Sequence, residues 1–141
     1  MVPVDVLTAL VIFRLSGGTS VKRVNSVDYL GVRLNENRNG RNHAENVIKK
    51  CAVRLSFLYR KATFLDFHCR KLLTAALIQP HFDYCASSWY EGVPKRLKLR
   101  FDALQRRMVR FIHSQGPMEH IGLQDFRALS WLTVPDRIRY F

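Results

Sequence analysis

Two long stretches of the chain place hydrophobic side chains at the spacing of an α-helix. In the first, from about residue 42 to residue 62, they cover one face over about five turns: Ala44, Val47, Ile48, Cys51, Ala52, Leu55, Leu58, Tyr59 and Ala62. In the second, from Pro94 to about His113, they are Leu97, Phe101, Leu104, Met108, Phe111 and Ile112. Asn42 and Glu45 predict a capping box at the start of the first helix, and Pro94 favours the first turn of the second. We therefore expect two amphipathic helices that each bury one face.

The segment before the first helix favours β-strands. Gly17-Gly18 separates a short apolar run, residues 11–13, from a longer arm, residues 21–34, and this break predicts a β-hairpin. The apolar positions of the longer arm are Val27, Tyr29, Val32 and Leu34. We expect Tyr29 to lie in the core rather than to stack on a base.

The segment between the two long helices predicts a further helix from a cap at Asp66 to about Gln79, ended by Pro80. Its near-zero net charge and the apolar residues that follow indicate the buried centre of the fold, with Trp89 in the core. His81 and Cys85 stand four residues apart, which is a possible zinc spacing, but no second pair accompanies them, and core packing is the preferred interpretation.

After the second long helix, a short helix is expected at about residues 124–129, and another begins near Pro135 and runs to Phe141. The fold class predicted is mainly α, with an N-terminal β-hairpin followed by a bundle of three to five helices. We divide the chain into a strand region at 1–40, a basic helical domain at 41–113 and the start of a further helical region at 114–141. A helix that begins so near the last residue suggests a fragment of a longer protein.

The charge is concentrated on the two long helices. The chain has 23 Lys and Arg against 11 Asp and Glu, a formal net charge of +12, and almost all of this excess falls in residues 41–64 and 95–113. Clustered cations of this kind bind phosphates by releasing counterions, whereas the alternative is a solvated surface. The candidate nucleic-acid-binding residues oppose the apolar faces: Lys49, Lys50, Arg60, Lys61, Lys95, Arg96, Arg100, Arg106, Arg107 and Arg110.

The sequence offers little catalytic chemistry. No two acidic residues are adjacent, which excludes an Asp-Asp pair of the type that holds two metal ions for nucleotidyl transfer, and Gly17-Gly18 lacks the Lys-Ser/Thr partner of a phosphate loop. We therefore assign no catalytic residue, no metal and no cofactor. The three cysteines, Cys51, Cys69 and Cys85, have no paired spacing, which favours a reducing compartment, nucleus or cytoplasm. Residues 1–15 fit neither a signal peptide nor a membrane span.

An ordered set of landmarks resembles one protein family, the reverse transcriptases of non-long-terminal-repeat retrotransposons, LINE-like elements of the Jockey and CR1 type. The landmarks cover about residues 21–141, and their order and spacing make the resemblance specific. They are Tyr29-Leu30-Gly31-Val32, His43 with residues 48–52, Pro80-His81-Phe82-Asp83-Tyr84-Cys85 with Trp89, residues 104–110 and residues 129–137. Residues 1–20 match nothing in that family.

This resemblance implies a right-hand polymerase in which a palm holds the catalytic aspartates and a helical thumb grips the template-primer duplex. The chain corresponds to the thumb and post-palm region and lacks the fingers and the catalytic Asp-Asp motif, so it is not expected to be an enzyme by itself. The implied partners are an RNA/DNA or DNA duplex and a palm-containing polymerase. The alternative is a degenerate, non-functional or protein-interaction fragment of a decayed element.

Overall fold

A computed structural model describes residues 13–14, 18, 20–21, 24–37 and 39–140. It confirms a mainly α fold with an N-terminal β-hairpin region. The elements, in chain order, are β1 (Phe13–Arg14), β2 (Ser20–Val21), β3 (Ser26–Tyr29), β4 (Val32–Asn35), α1 (Arg41–Arg60), a 3-10 turn (Ala62–Phe64), α2 (Phe67–Leu77), α3 (Gln79–Asp83), α4 (Ala86–Trp89), α5 (Lys95–His113), α6 (Leu123–Ala128) and α7 (Val134–Tyr140).

The strand region forms two antiparallel pairs rather than one long hairpin. β1 pairs with β2 and β3 pairs with β4, in a register that sets Tyr29 opposite Val32. The expected second arm is divided because Leu30 and Gly31 both adopt positive φ angles, 48° and 80°, which is the backbone of a tight two-residue hairpin turn. The Tyr-Leu-Gly-Val landmark therefore contains a turn. Residues 11, 12, 17, 22 and 23 of the predicted hairpin lie outside the described residues.

Of the four apolar positions in this arm, only Val32 is buried, at 5% exposed. Tyr29 is 63% exposed, and Val27 and Leu34 are also exposed, so placing Tyr29 in the core was wrong. The physical reason is that a two-stranded ribbon rests on the bundle chiefly where β4 meets α1. The remaining apolar positions of the ribbon have no layer opposite them within the described structure.

Helices α1 and α5 pack side by side and run in the same direction. Near their first turns, Trp89 links them, with ring contacts to His43 at 4.9 Å and to Phe101 at 5.8 Å. Near their last turns, the ring of Tyr59 lies 5.0 Å from that of Phe111. The predicted apolar faces are buried between them, apart from Tyr59, which stays partly exposed, and the partly buried Ala52 and Ala62.

The start of α1 differs from the prediction. The helix begins at Arg41, Gly40 is its cap with a φ of 57°, and Asn42 lies inside the first turn without a capping hydrogen bond. Asn39 takes the expected role in part, because its side-chain oxygen accepts a hydrogen bond from the Arg41 N–H at 3.1 Å. Glu45 pairs with Arg41 at 3.1 Å instead of closing a capping box.

The buried centre lies in α3 and α4 rather than in α2. Asp66 caps α2 as predicted, accepting a hydrogen bond from the Cys69 N–H at 2.7 Å. However, α2 fully buries only Thr74, and Leu72 on its outer face is 60% exposed, because the helix meets the bundle along one narrow face. The buried side chains of α3 and α4 are Gln79, Phe82, Ala86 and Trp89.

His81 and Cys85 were expected in the core, and this was wrong. The His81 ring is partly exposed and contacts the Arg54 guanidinium. Cys85 is exposed and has a φ of 50°, because the chain turns there between α3 and α4.

Gln105 fastens the C-terminal helices to α5. It is buried, its side-chain amide donates a hydrogen bond to the Leu132 carbonyl at 2.8 Å, and its side-chain oxygen accepts one from the Val134 N–H at 3.0 Å. Arg137 on α7 also pairs with Asp83 on α3, with a second contact at 2.6 Å. The helices predicted near residues 124–129 and from about residue 135 are thus present as α6 and α7, and Phe141 lies outside the described residues. Within the described ranges, none of the helices has the length and apolar character needed to cross a membrane.

We predict that Gly40→Ala destabilises the protein by about 2–5 kcal/mol. Alanine would have to adopt the left-handed backbone conformation of this residue, and its methyl group would displace a neighbour. A Cβ at this position would lie 2.2 Å from the Trp89 carbonyl oxygen. Chemical denaturation monitored by circular dichroism measures the loss. Gly122→Ala is the matched control, because a Cβ there meets nothing closer than 3.9 Å. Equal midpoints for the two variants would contradict the prediction.

Candidate nucleic-acid interface

The six basic candidates on α5 fall on two sides of the helix. At about 100° per residue, Arg96, Arg100, Arg107 and Arg110 form one stripe along the axis. Arg107 and Arg110 line one pocket with Ser56 and Tyr59 of α1, and the Tyr59 hydroxyl donates a hydrogen bond to the Arg107 carbonyl at 3.1 Å, so the stripe runs beside α1.

The other two α5 candidates, Lys95 and Arg106, lie on the opposite flank by the same helical geometry. Arg106 lines a cleft with Asp102, Gln105 and Thr133, on the side where α6 and α7 pack. Burial raises the pKa of Asp102, the single acidic residue of α5. The stripe beside α1 therefore contains basic side chains without an acid.

The four basic candidates on α1 are divided in the same way. By helical geometry Lys49 lies on the same flank of α1 as Ser56, which lines a pocket with Arg107 of α5. Arg60 lies at a similar helical angle, but its guanidinium turns to the outer crest of the helix, 5.9 Å from the centre of the Phe57 ring. Lys50 and Lys61 lie on the far flank, and Lys50 lines a pocket next to the hairpin.

We call the surface formed by Lys49, Arg96, Arg100, Arg107 and Arg110 the basic groove. Small side chains, Ala52 and Ser56 on α1 and Ala103 on α5, separate its two walls. From Arg96 to Arg110 the groove is about 21 Å long, which is the rise of about six base pairs of duplex. This length allows several phosphates of one strand to be contacted at once.

The cations of the basic groove are not neutralised by acids within the described part of the chain. The ion pairs observed there involve other arginines: Arg33 with Asp28, Arg41 with Glu45 and Arg137 with Asp83. Arg110 is oriented by a hydrogen bond from its Nε to the Glu119 carbonyl at 2.9 Å, which leaves its terminal nitrogens available. The basic groove thus concentrates positive charge along one line of the surface, an arrangement that attracts a polyanion.

A second concave region, of about 520 Å³, lies between the β3–β4 hairpin, α1 and α3. The Tyr84 hydroxyl holds the hairpin by donating to the Leu30 carbonyl at 2.6 Å, and the His43 ring accepts a hydrogen bond from the Arg33 N–H at 3.2 Å. Burial, with help from nearby Lys50, lowers the pKa of His43. The pKa of His81 is lowered in the same way, by burial first and then by Arg54 and Lys50.

Sequence reasoning missed this hairpin pocket, because its lining comes from three separate segments and no local pattern joins them. It also missed Ser56 and Gln115, which line a pocket at one end of the basic groove. Among the described residues, no group of three or more His, Cys, Asp or Glu is arranged to hold a metal ion.

Comparison with protein-family models, with curated proteins and with solved structures found no match. The resemblance to reverse transcriptases therefore depends on the five sequence landmarks. The structure places them, in order, at the β3–β4 turn, in α1, across α3 and α4, in α5 and at α7.

We predict that the protein loses stability as the pH falls below about 6.5. His43 and His81 have lowered pKa values in the folded state, so the unfolded chain, whose histidines keep an ordinary pKa of 6.5, binds protons more readily there. Their stabilising contribution is complete above this pH and is lost as the pH falls toward their folded-state values. Melting temperatures measured between pH 7.5 and 5.5 test this.

The matched variants for this measurement are His43→Gln with His81→Gln, and His120→Gln, an exposed histidine elsewhere on the chain. The melting temperature of the double variant should decline less steeply with falling pH than that of the unchanged protein. The His120→Gln variant should decline as steeply as the unchanged protein. A double variant with an unchanged slope would sink this assignment.

Proposed function

We propose that this protein binds duplex nucleic acid, an RNA/DNA hybrid or DNA, without reading its sequence. It would do so as the thumb-like part of an RNA-directed DNA polymerase of the non-long-terminal-repeat retrotransposon type. The observation that supports the proposal most directly is the basic groove, in which two packed helices present five cations that no described acid neutralises. The family landmarks lend independent support.

The chemistry of such binding is electrostatic. Guanidinium and ammonium groups replace condensed counterions on phosphates, and the released ions make the affinity fall as salt rises. If each of the five cations contacts one phosphate, the logarithm of the affinity falls with the logarithm of salt with a slope of about −4 to −5 for B-form DNA. Contacts to the phosphate backbone carry no base information, so the protein can move along the duplex.

In this proposal the chain contributes binding, and nucleotidyl transfer belongs to a palm-containing polymerase with which it associates. Exposed apolar side chains support such an association, because large hydrophobic side chains in contact with water favour burial against a partner. Phe64, in the 3-10 turn after α1, is 85% exposed, and Phe57, Phe67 and Leu72 are also exposed nearby in the sequence.

The same exposed side chains favour a second candidate, a degenerate or protein-interaction fragment of a decayed element. A thermal melt followed by circular dichroism separates the two, because a groove that binds duplex needs a firmly packed α1–α5 pair. We expect the protein to unfold in one cooperative transition, because the aromatic rings packed around Phe101 join α3, α4 and α5. A gradual loss of helical signal without a transition would favour decay.

We predict that Arg100→Gln with Arg107→Gln weakens duplex binding by at least about tenfold in low salt and makes the salt slope shallower by about two, since each substitution removes one phosphate contact. Fluorescence anisotropy with a labelled 20-base-pair duplex across a salt series provides both values. Duplexes of unrelated sequence should bind equally well.

Lys95→Gln with Arg106→Gln is the matched control, because it removes the same charge from the same helix on the other flank. We expect it to leave the salt slope nearly unchanged. Equal weakening by the two double variants would show that net charge, rather than the groove, determines binding. Affinity for duplex that does not change with salt would overturn the proposed function altogether.

A further inference from the structure

The basic groove ends in a pocket of about 540 Å³ at the C-terminal ends of α1 and α5. Its lining comprises Ser56, Tyr59, Arg107, Arg110, Gln115 and Pro117. The volume lies in the range that accommodates a small organic ligand. Because Arg107 and Arg110 belong to both the groove and the pocket, a strand that follows the groove reaches the pocket without leaving the positive surface.

The walls of this end pocket are held in place by specific contacts. The Tyr59 ring meets Phe111 edge to face, and its hydroxyl is bonded to the Arg107 carbonyl. At the end of α5, Ser114 adopts a φ of 58°, which turns the chain so that the Gln115 N–H bonds the Arg110 carbonyl at 2.9 Å. A ligand would therefore enter a preformed pocket and would order little of the protein on binding.

The guanidinium groups of Arg107 and Arg110 line the end pocket and are not needed to satisfy the carbonyls at the C-terminus of α5. A helix C-terminus attracts cations through its free carbonyls, which is the structural explanation for arginines at this place. Here the carbonyls of Arg107, Arg110 and Phe111 already accept hydrogen bonds from Tyr59, from the Gln115 N–H and from Arg70. The guanidinium groups of Arg107 and Arg110 remain for an outside anion.

Gln115, which lines the end pocket, has a side-chain acceptor that lacks a donor. The side-chain oxygen of Gln115 is buried and has no hydrogen-bond partner in the described structure. A buried acceptor without a partner is uncommon and costs stability, so a ligand N–H toward which the Gln115 side chain turns would relieve that cost. Beside it, the Tyr59 ring is 39% exposed and offers an apolar surface.

A ligand that fits this pocket has a negative group for the arginines, an N–H donor for Gln115 and a flat apolar face for the Tyr59 ring. A nucleotide has all three. We propose that the end pocket holds one unpaired nucleotide at the end of a strand bound in the basic groove. Its phosphate would contact Arg107 and Arg110, its base would lie against Tyr59, and an N–H of the base would bond the Gln115 side-chain oxygen. This inference rests on the proposed duplex binding and adds a preference for duplex ends that carry an overhanging base.

Three labelled duplexes test the pocket by fluorescence anisotropy at one salt concentration. The first is blunt, the second carries one unpaired adenine, and the third carries an abasic nucleotide in place of that adenine, which keeps the phosphate and removes the base. Overhangs at the 3′ and the 5′ end are measured separately. We expect the adenine end of one polarity to bind about three- to tenfold more tightly than the abasic end, the gain from one hydrogen bond with apolar contact.

Gln115→Leu removes the acceptor while keeping a side chain of similar size. We expect this variant to lose the preference for the adenine end and to bind the blunt duplex as the unchanged protein does. Gln124→Leu, at an exposed position of α6, is the matched control and should retain the preference.

If all three duplexes bind in a salt-dependent way but adenine and abasic ends bind equally in both polarities, the end pocket does not bind a nucleotide. Duplex binding in the basic groove would then still be supported. A preference retained by Gln115→Leu would overturn the role of Gln115. Failure to bind any duplex would overturn the proposed function itself. The comparison of adenine and abasic ends uses the unchanged protein, so it decides the matter even if the variant does not fold.

Discussion

The parallel packing of α1 against α5 is the contact on which the rest of the molecule depends. Each helix buries most of its apolar face, and Phe101 of α5, which is fully buried, meets the rings of Phe82, Trp89 and Tyr90. The short helices α3 and α4 are thereby assembled around residues of the long pair. Without this packing neither the basic groove nor the end pocket would exist, because both are formed by side chains that flank the α1–α5 contact.

The same packing decides which charges act together. A helix with one buried face leaves more than half of its circumference for polar groups, and the position of its neighbours then divides that surface. On α5, the flank beside α1 contains Arg100 and Arg107, whereas the flank beside α7 contains Arg106, close to Asp102. Of the ten basic candidates, five form the basic groove, one lies on the outer crest of α1 and four lie on other flanks of the two helices.

Sequence periodicity predicted the two long helices and most of their buried residues, because a helix that packs on one side must repeat its apolar positions. It failed where tertiary contacts decide the outcome. The exposed Tyr29 has the residue type of a core position but no layer opposite it. The cap at Gly40 depends on the close approach of the Trp89 carbonyl, which no local pattern encodes. The division of the basic residues likewise required knowledge of which flank faces which helix.

The placement of charge along α5 argues that these cations were not acquired for stability alone. Basic side chains near a helix C-terminus stabilise it by about 0.3–1 kcal/mol each through the helix dipole, so Arg110 has a structural explanation. The N-terminus reverses the sign, and there α5 has no acidic residue in its first turn but begins with Lys95 and Arg96. Cations at that end oppose the dipole, and Arg96 and Arg100 also repel each other one turn apart. These unfavourable interactions raise the free energy of the folded state along the N-terminal half of the basic groove. Binding of a polyanion there would offset that cost.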